Sequence, residues 1–163
     1  MSLSISPLGR PRSLKRVLVI LFMVVATTLV SAGVAQPAFA ANGAVTQVYS
    51  GRCIDLPGGN TTDGTQLELW DCNGGSNQSI SQTSARELRI DNKCIDAYNG
   101  GTTNGAILDL WTCSGAVNQK WTVLSNGEIQ SDNGLCIDGP GGQSANGTLL
   151  EVWACNDGTN QQW

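Results

Sequence analysis

Beyond residue 40, apolar and polar side chains alternate, and they do not recur at the three- and four-residue spacing of a helix. In Leu67-Glu68-Leu69-Trp70 a period of two puts both Leu on one face and Glu68 with Trp70 on the other. The same split sets Leu108 and Leu110 against Asp109 and Trp111, and Leu150 and Val152 against Glu151 and Trp153. The Leu face is the expected core. The Trp face then points outward or lines a groove. Short runs at 45–49, 67–71, 87–90, 107–112, 121–124, 128–130 and 149–154 read as strands. Between them lie Pro57-Gly58-Gly59-Asn60, Asn99-Gly100-Gly101, Asn126-Gly127, Asn133-Gly134 and Pro140-Gly141-Gly142, residues that fix or permit turn φ angles. None of these Gly-rich stretches is followed by Gly-Lys-Ser/Thr, so none reads as a phosphate cradle.

The pattern occurs three times. Cys53-Ile54-Asp55 leads to Trp70-Asp71-Cys72 and Asn77-Gln78; Cys94-Ile95-Asp96 leads to Trp111-Thr112-Cys113 and Asn118-Gln119; Cys136-Ile137-Asp138 leads to Trp153-Ala154-Cys155 and Asn160-Gln161. The copies occupy about 44–85, 86–126 and 127–163, leaving no room for a linker.

Residues 1–40 have a different composition. Arg10, Arg12, Lys15 and Arg16 precede an apolar run from Val17 to Val30, and Ala38-Phe39-Ala40 has the small-x-small form of a signal-peptidase site. A secretory signal is expected here, followed by one domain at 41–163. A membrane anchor needs about twenty apolar residues, and Thr27, Thr28 and Ser31 interrupt the run. Removal of the segment leaves five basic and thirteen acidic residues, a net charge of −8. Such a surface repels phosphate backbones and anionic lipid, so neither nucleic acid nor membrane is an expected partner of the mature chain.

Six Cys in an exported domain imply a disulfide framework. Equal spacing in every copy favours Cys53–Cys72, Cys94–Cys113 and Cys136–Cys155, because other schemes break the equivalence of the copies. Each loop of about twenty residues is worth on the order of 3 kcal/mol in the chain-entropy model. Zinc is the competing use of clustered Cys, but the chain has no Cys-x-x-Cys pair and no His, so no metal or cofactor is expected. If bridged Cys residues stand directly opposite on antiparallel strands without a bulge, Asp55 faces Trp70, Asp96 faces Trp111 and Asp138 faces Trp153.

A carboxylate beside an exposed indole suits a neutral polyhydroxylated ligand. The ring packs on the C–H side of a pyranose while Asp and Asn hydrogen-bond its hydroxyls. With these residues assembled, the chain resembles the ricin-type β-trefoil lectins and the family 13 carbohydrate-binding modules. The resemblance rests on Cys-Ile-Asp, Leu-x-Leu-Trp-x-Cys and Gln-x-Trp, and it covers nearly all of 41–163. It implies an all-β, pseudo-threefold trefoil of twelve strands, with one disulfide and one sugar site per lobe. By position the sites are Asp55, Trp70, Asn77 and Gln78; Asp96, Trp111, Asn118 and Gln119; and Asp138, Trp153, Asn160 and Gln161. In this family Asp and Asn contact hydroxyls, the aromatic stacks, and Gln supports the Asp. Galactose-binding members often carry an amide two residues before the aromatic, where Glu68, Asp109 and Glu151 stand here, which leaves Asn73 and Asn156 as outer contacts.

Gln119-Lys120-Trp121 and Gln161-Gln162-Trp163 keep the Gln-x-Trp motif, whereas the first copy has Gln78-Ser79-Ile80, a loss that loosens the core unless neighbours fill it. The family pattern continues beyond the position of Trp163, so the closing strand is expected to be truncated. The expected function is a secreted, monomeric, non-catalytic lectin module for xylan, arabinan or galactose-containing glycans. The alternative is a targeting appendage of a glycoside hydrolase whose catalytic domain is absent from this chain, and a further one is a trefoil protease inhibitor. A glycosidase pairs two carboxylates, but here the acids recur once per lobe or lie in turns. Sequons at Asn60, Asn77 and Asn146 carry little weight in Asn/Thr-rich sequence, although a glycan on Asn77 would obstruct the first site.

Overall fold

The computed structural model describes residues 43–163, so the expected signal segment lies outside the described residues. Alternation of apolar and polar residues produces twelve short strands: β1 Cys53–Asp55, β2 Thr65–Gln66, β3 Glu68–Trp70, β4 Ser81–Gln82, β5 Leu88–Ile90, β6 Lys93–Ala97, β7 Ala106–Trp111, β8 Trp121–Val123, β9 Ile129–Ser131, β10 Leu135–Asp138, β11 Thr148–Leu149 and β12 Glu151–Ala154. All named ladders are antiparallel. In each copy, the strand carrying Cys-Ile-Asp pairs with the strand carrying Trp: β1 with β3, β6 with β7, and β10 with β12.

Backbone hydrogen bonds close these three hairpins on one another. Leu67 N–H donates to Leu108 O at 2.9 Å, Leu108 N–H to Leu150 O at 3.1 Å, and Leu150 N–H to Leu67 O at 2.9 Å. A second ring runs from Gly64 to Leu110, from Gly105 to Val152 and from Gly147 to Leu69, each bond 2.9 Å long. Each hairpin therefore presents its edge to the next copy, and cyclic pairing leaves no open edge at the centre. The fold is a β-trefoil of three lobes.

The Leu face is the core, as the period predicts. Leu67, Leu69, Leu108, Leu110, Leu150 and Val152 pack there with Ile54, Ile95 and Ile137, all fully buried. Trp121 is buried with its indole N–H bonded to Ile95 O at 3.0 Å, and Trp163 packs against the same core with its N–H 3.1 Å from Ile137 O. In the first lobe Ile80 fills the equivalent position and is fully buried, with Gly43 bridged to it across the backbone. At the other end of the described chain Glu128 bridges Gln162, and Val48 N–H bonds Gln162 O at 2.8 Å.

The disulfides are Cys53–Cys72, Cys94–Cys113 and Cys136–Cys155, one per lobe. The expected register is corrected by two residues. Cys53 faces Trp70, Cys94 faces Trp111 and Cys136 faces Trp153, while Asp55, Asp96 and Asp138 face Glu68, Asp109 and Glu151. A disulfide needs only a short Cα separation, here 5.2, 5.0 and 5.1 Å, and not a register partner. In the first lobe the chain leaves the ladder after Trp70, where Asn146 Oδ1 captures Asp71 N–H, and the bend returns Cys72 to Cys53. A slip of two preserves the faces, so each Asp still shares a side with its Trp, on the diagonal.

Two other expectations change. The stretch 45–49 makes only an isolated bridge from Thr46 to Cys53 before a turn at Val48, Tyr49 and Ser50. The run 149–154 divides at Leu150, whose N–H belongs to the central ring. The Pro-Gly-Gly stretches are turns as expected, each a single 3₁₀ turn, Pro57–Gly59 and Pro140–Gly142, matched in the second lobe by Tyr98–Gly100.

Candidate functional site

Asp55 ends β1, Asp138 ends β10 and Asp96 stands one residue short of the end of β6, with 3%, 4% and 6% of their surface exposed. A carboxylate so enclosed needs donors. Asn77 Nδ2 and Gln78 Nε2 both donate to Asp55 Oδ1 at 2.8 Å. Asn118 Nδ2 spans both oxygens of Asp96 at 2.9 Å. Asn160 Nδ2 and Gln161 Nε2 donate to Asp138 Oδ2 at 3.0 and 2.6 Å. Asn and Gln sit side by side in single 3₁₀ turns, Ser76–Gln78 and Val117–Gln119, and Gln161 N–H closes a similar turn on Gly158 O.

Each Asn also donates to the carbonyl after its Asp, at Leu56, Ala97 and Gly139. This occupies both amide hydrogens and leaves Oδ1 as an acceptor. Each Gln Oε1 receives a backbone N–H from the loop after the Trp, at Asn73, Ser114 and Asn156. Its Nε2 donates to the carbonyls of Asp71, Thr112 and Ala154. The Gln is thus a brace between the Asp and the loop leaving the Trp.

Burial raises the pKa of Asp55, Asp96 and Asp138 above the ordinary carboxylate value, and the Gln and Asn amides oppose that rise. Glu68 and Glu151 are raised by partial burial and then by the facing Asp. Asp109 differs from them. It is fully buried, neither carboxylate oxygen has a hydrogen-bond partner, and burial followed by the charges of Asp96 and Asp63 pushes its pKa up to about 7. The alternation that placed Asp109 outward with Trp111 is corrected. Its carboxylate is one carbon shorter than that of Glu68 or Glu151, which stay partly exposed, and it lies between Asp96 on β6 and Gln66 on β2.

Trp70, Trp111 and Trp153 are 41%, 39% and 41% exposed, so each lobe offers an indole plate beside a buried carboxylate. In the second lobe, Asp96, Trp111, Ser114 and Asn118 line a hollow of about 430 Å³, with Tyr98 and Asn99 as its opposite wall. In the third lobe, Asp138, Glu151, Trp153, Asn156 and Asn160 line one of about 280 Å³. The site residues of the first lobe converge through the same hydrogen bonds.

A neighbouring lobe backs the plates of Trp111 and Trp153. The loop entering β2 brings Gly64 so close to Trp111 that a Cβ there would lie 3.5 Å from the ring, and its φ of +87° suits glycine. Gly105 approaches Trp153 in the same way. The residue before each such glycine grips the strand it crosses. Asp63 accepts from Thr112 Oγ1 and Lys93 Nζ, Asn104 Oδ1 from Ala154 N–H, and Asn146 Oδ1 from Asp71 N–H and Arg52 Nε.

Sequence reasoning missed Tyr98, the depth of Asp109 and this clasp. A signal for Tyr98 was present: two residues after the site Asp the other copies carry Pro57 and Pro140. The clasp was visible only as Asp63, Asn104 and Asn146, each preceding a glycine at matching positions in the repeat. Acid and sulfur converge at Glu87 with Cys94 and Cys113, and at Glu128 with Cys136 and Cys155, but these sulfurs are joined in disulfides and offer no thiolate.

Three lobes, each with a disulfide, a braced Asp and an exposed Trp, define a lectin-type trefoil. Residues 41–163 match the ricin-type beta-trefoil lectin domain, and the chain belongs to that family. Among solved structures it is similar to the designed threefold-symmetric protein ThreeFoil, with a TM-score of 0.67 and 25% identity over 72% of this chain and 92% of that one. It is also similar to the agglutinin of Abrus precatorius, with a TM-score of 0.66 and 24% identity over 77% and 49% of the two chains. An exo-beta-1,3-galactanase of Clostridium thermocellum gives a TM-score of 0.65 at 24% identity, over 77% of this chain and 30% of the enzyme. In sequence, Serine protease 1 of Rarobacter faecitabidus is 45% identical over 47 residues, 29% of this chain, and the match spans 9% of the protease's length.

Proposed function

We propose that this chain is a secreted carbohydrate-binding module without catalytic activity, which attaches to neutral polysaccharide through Asp, Trp and Asn in its lobes. The observation that carries this reading is the second-lobe hollow. There an exposed indole, a carboxylate buried except for its rim and an Asn with a free Oδ1 converge on one volume of about 430 Å³. An indole face takes the C–H surface of a sugar ring, and Asp and Asn take its hydroxyls. Asp55, Trp70 and Asn77, and Asp138, Trp153 and Asn160, are proposed to act likewise, with Gln78, Gln119 and Gln161 as braces. Xylan, arabinan and galactose-containing glycans are the candidate ligands. Residues 1–40 are proposed to be the export signal, and the module is proposed to act as a monomer.

Two features support a non-catalytic role. Asp55, Asp96 and Asp138 are held by structural amides, and Asp109 is sealed from solvent, so Asp109 cannot reach a glycosidic oxygen. Asp96 and Asp138 each recur at the same position in a neighbouring lobe instead of forming a unique pair. A second reading, an appendage that targets an enzyme, is favoured by the small share of Serine protease 1 and of the galactanase that the chain spans.

The test is retention of residues 41–163 on insoluble xylan, arabinan and galactan. Replacing Trp70, Trp111 and Trp153 together by Ala is expected to abolish retention while thermal unfolding stays cooperative and the amide-region circular dichroism keeps its β form. Retention equal to that of the parent protein would sink the site assignment. Release of reducing ends during the incubation would revive the enzyme reading.

A further inference from the structure

The hollow of the second lobe does not end at Tyr98. Beyond the Tyr98–Gly100 turn lies another hollow of about 390 Å³, which shares Tyr98 and Asn99 with the first and is lined further by Thr102, Thr103, Ala106 and Ile107. Its lining belongs to the second lobe, and its edge at Gly105 and Ile107 adjoins Glu151 and Trp153 of the third. Ile107 on β7 stands opposite Glu151 on β12, and a Cβ at Gly105 would lie 3.9 Å from the Trp153 ring. The first two volumes are joined at Tyr98 and Asn99, and the second runs to Gly105, which stands against the Trp153 ring.

The chemistry of the middle volume is specific in what it offers. Tyr98 is 49% exposed and supplies an aromatic face, Ala106 and Ile107 give a half-buried apolar floor, and Asn99, Thr102 and Thr103 give amide and hydroxyl groups at the rim. No charged side chain lines it among the described residues. A volume of this size, with an aromatic wall and neutral hydrogen-bonding groups, matches an uncharged polyhydroxylated ring and not an anion or a cation. The wall is also held in place. Asn133 of the third lobe donates its Nδ2 to Gly100 O, and Gly101 N–H closes the turn on Tyr98 O at 3.0 Å. The first and third lobes carry Pro57 and Pro140 at the place of Tyr98, so among the described residues an aromatic within this turn occurs in the second lobe only.

We infer that the junction between the second and third lobes is an additional saccharide subsite, which carries a continuous neutral glycan chain from Trp111 across Tyr98 toward Trp153. The inference rests on the lectin reading of the second lobe. It makes the protein a binder of internal segments of a polymer, with one chain spanning two lobes, instead of a binder of isolated terminal sugars.

Titration calorimetry with linear xylo-oligosaccharides and β-1,3-galacto-oligosaccharides of two to six units tests it, using the parent protein, Thr103→Arg, Thr103→Ser, Tyr98→Ala and Trp111→Ala. For the series that binds, affinity is expected to rise about fivefold or more from the disaccharide to the tetrasaccharide, the scale of one added aromatic contact. In T103R, whose side chain fills the middle volume, the tetrasaccharide is expected to bind no more tightly than the disaccharide. T103S is expected to keep the rise, and Y98A to lose it. A length dependence that persists in T103R and Y98A overturns the subsite, as does a parent protein that binds the disaccharide with no gain from longer chains; both outcomes leave the lectin reading standing. W111A is expected to lose the heat of one site while the other lobes still bind; a stoichiometry equal to that of the parent protein overturns the second-lobe site and the subsite with it, and so does a parent protein that binds neither series.

Discussion

At the scale of single residues, Asp96 and Asp109 divide the work of one cross-strand pair. Asp96 keeps a hydrogen-bonded rim toward the hollow, whereas Asp109 directly opposite is sealed and unpartnered. Asp96→Asn is expected to weaken saccharide binding at the second lobe by about tenfold or more, because a charged acceptor for hydroxyls becomes a weaker neutral one. Calorimetry on a background lacking Trp70 and Trp153 isolates that lobe. Burial raises the pKa of Asp96, so binding is expected to be full when Asp96 is ionised and to decline on acidification, beginning above the ordinary carboxylate value of 3.8. Asp109 predicts the opposite sign for stability. Below pH 3.8 it is protonated folded and unfolded; between 3.8 and about 7 only the unfolded chain releases the proton, so stability falls across that window and then levels. Asp109→Asn is expected to remove that component, gaining on the order of 2 kcal/mol at pH 8 relative to pH 4. Denaturant midpoints of both proteins at the two pH values check it; parallel curves would show that Asp109 is ionised without cost. Spacing and the family resemblance singled out Asp96, Trp111 and Asn118, which the structure gathers around one hollow, because a repeat exposes what must be kept together. The burial of Asp109 was not legible, since alternation assigns a side but not a depth, and one methylene separates Asp from the partly exposed Glu of the other lobes.

At the scale of elements, hairpin strands were readable and the pieces between them were not. A strand of alternating residues signals its faces over four or more positions, whereas the 3₁₀ turns that carry Asn77, Gln78, Asn118 and Gln119 are one turn long and have no period to detect. Register failed for a related reason. A bridged pair of Cys need not be a rung of the ladder: Cys72 and Cys113 lie beyond the strand ends, where the clasp from a neighbouring lobe holds the chain. The turn after β6 is another place where backbone geometry rules. Gly101 has φ +52°, and a Cβ there would meet Ala97 Cβ at 2.2 Å and Ala97 O at 3.2 Å. Gly101→Ala is expected to destabilise the domain by about 2 kcal/mol or more, combining left-handed strain with overlap that neither a methyl nor a backbone carbonyl can relieve. Gly100→Ala, where nothing lies within 4 Å but φ is +90°, carries the strain without the overlap and is expected to cost less. Urea denaturation of the two variants separates the contributions.

At the scale of the molecule, the threefold repeat made the trefoil legible, because each copy has an apolar face that it cannot bury alone. The rings of bonds through Leu67, Leu108 and Leu150, and through Gly64, Gly105 and Gly147, are the physical form of that dependence. They were not readable from one sequence, which gives the period of a repeat but not the edge by which copies join. The same closure spreads the three indoles around one rigid body, and this sets how the module meets a polymer. A single shallow site with an indole about 40% exposed gives weak attachment, and a second site on the same chain or fibre then engages at a high effective concentration without any new contact. Losses at single lobes are therefore expected to combine more than additively on insoluble polysaccharide and additively on short soluble oligomers. Trp111→Ala alone is expected to lower retention on the polymer about tenfold, and Trp111→Ala with Trp153→Ala by about a hundredfold or more, whereas disaccharide titration loses only the heat of each deleted site. Depletion isotherms on the polymer and calorimetry on the disaccharide, run on the same variants, check the two regimes. If polymer retention falls only in proportion to the number of sites removed, the lobes act independently and linkage through the rigid trefoil contributes nothing to attachment.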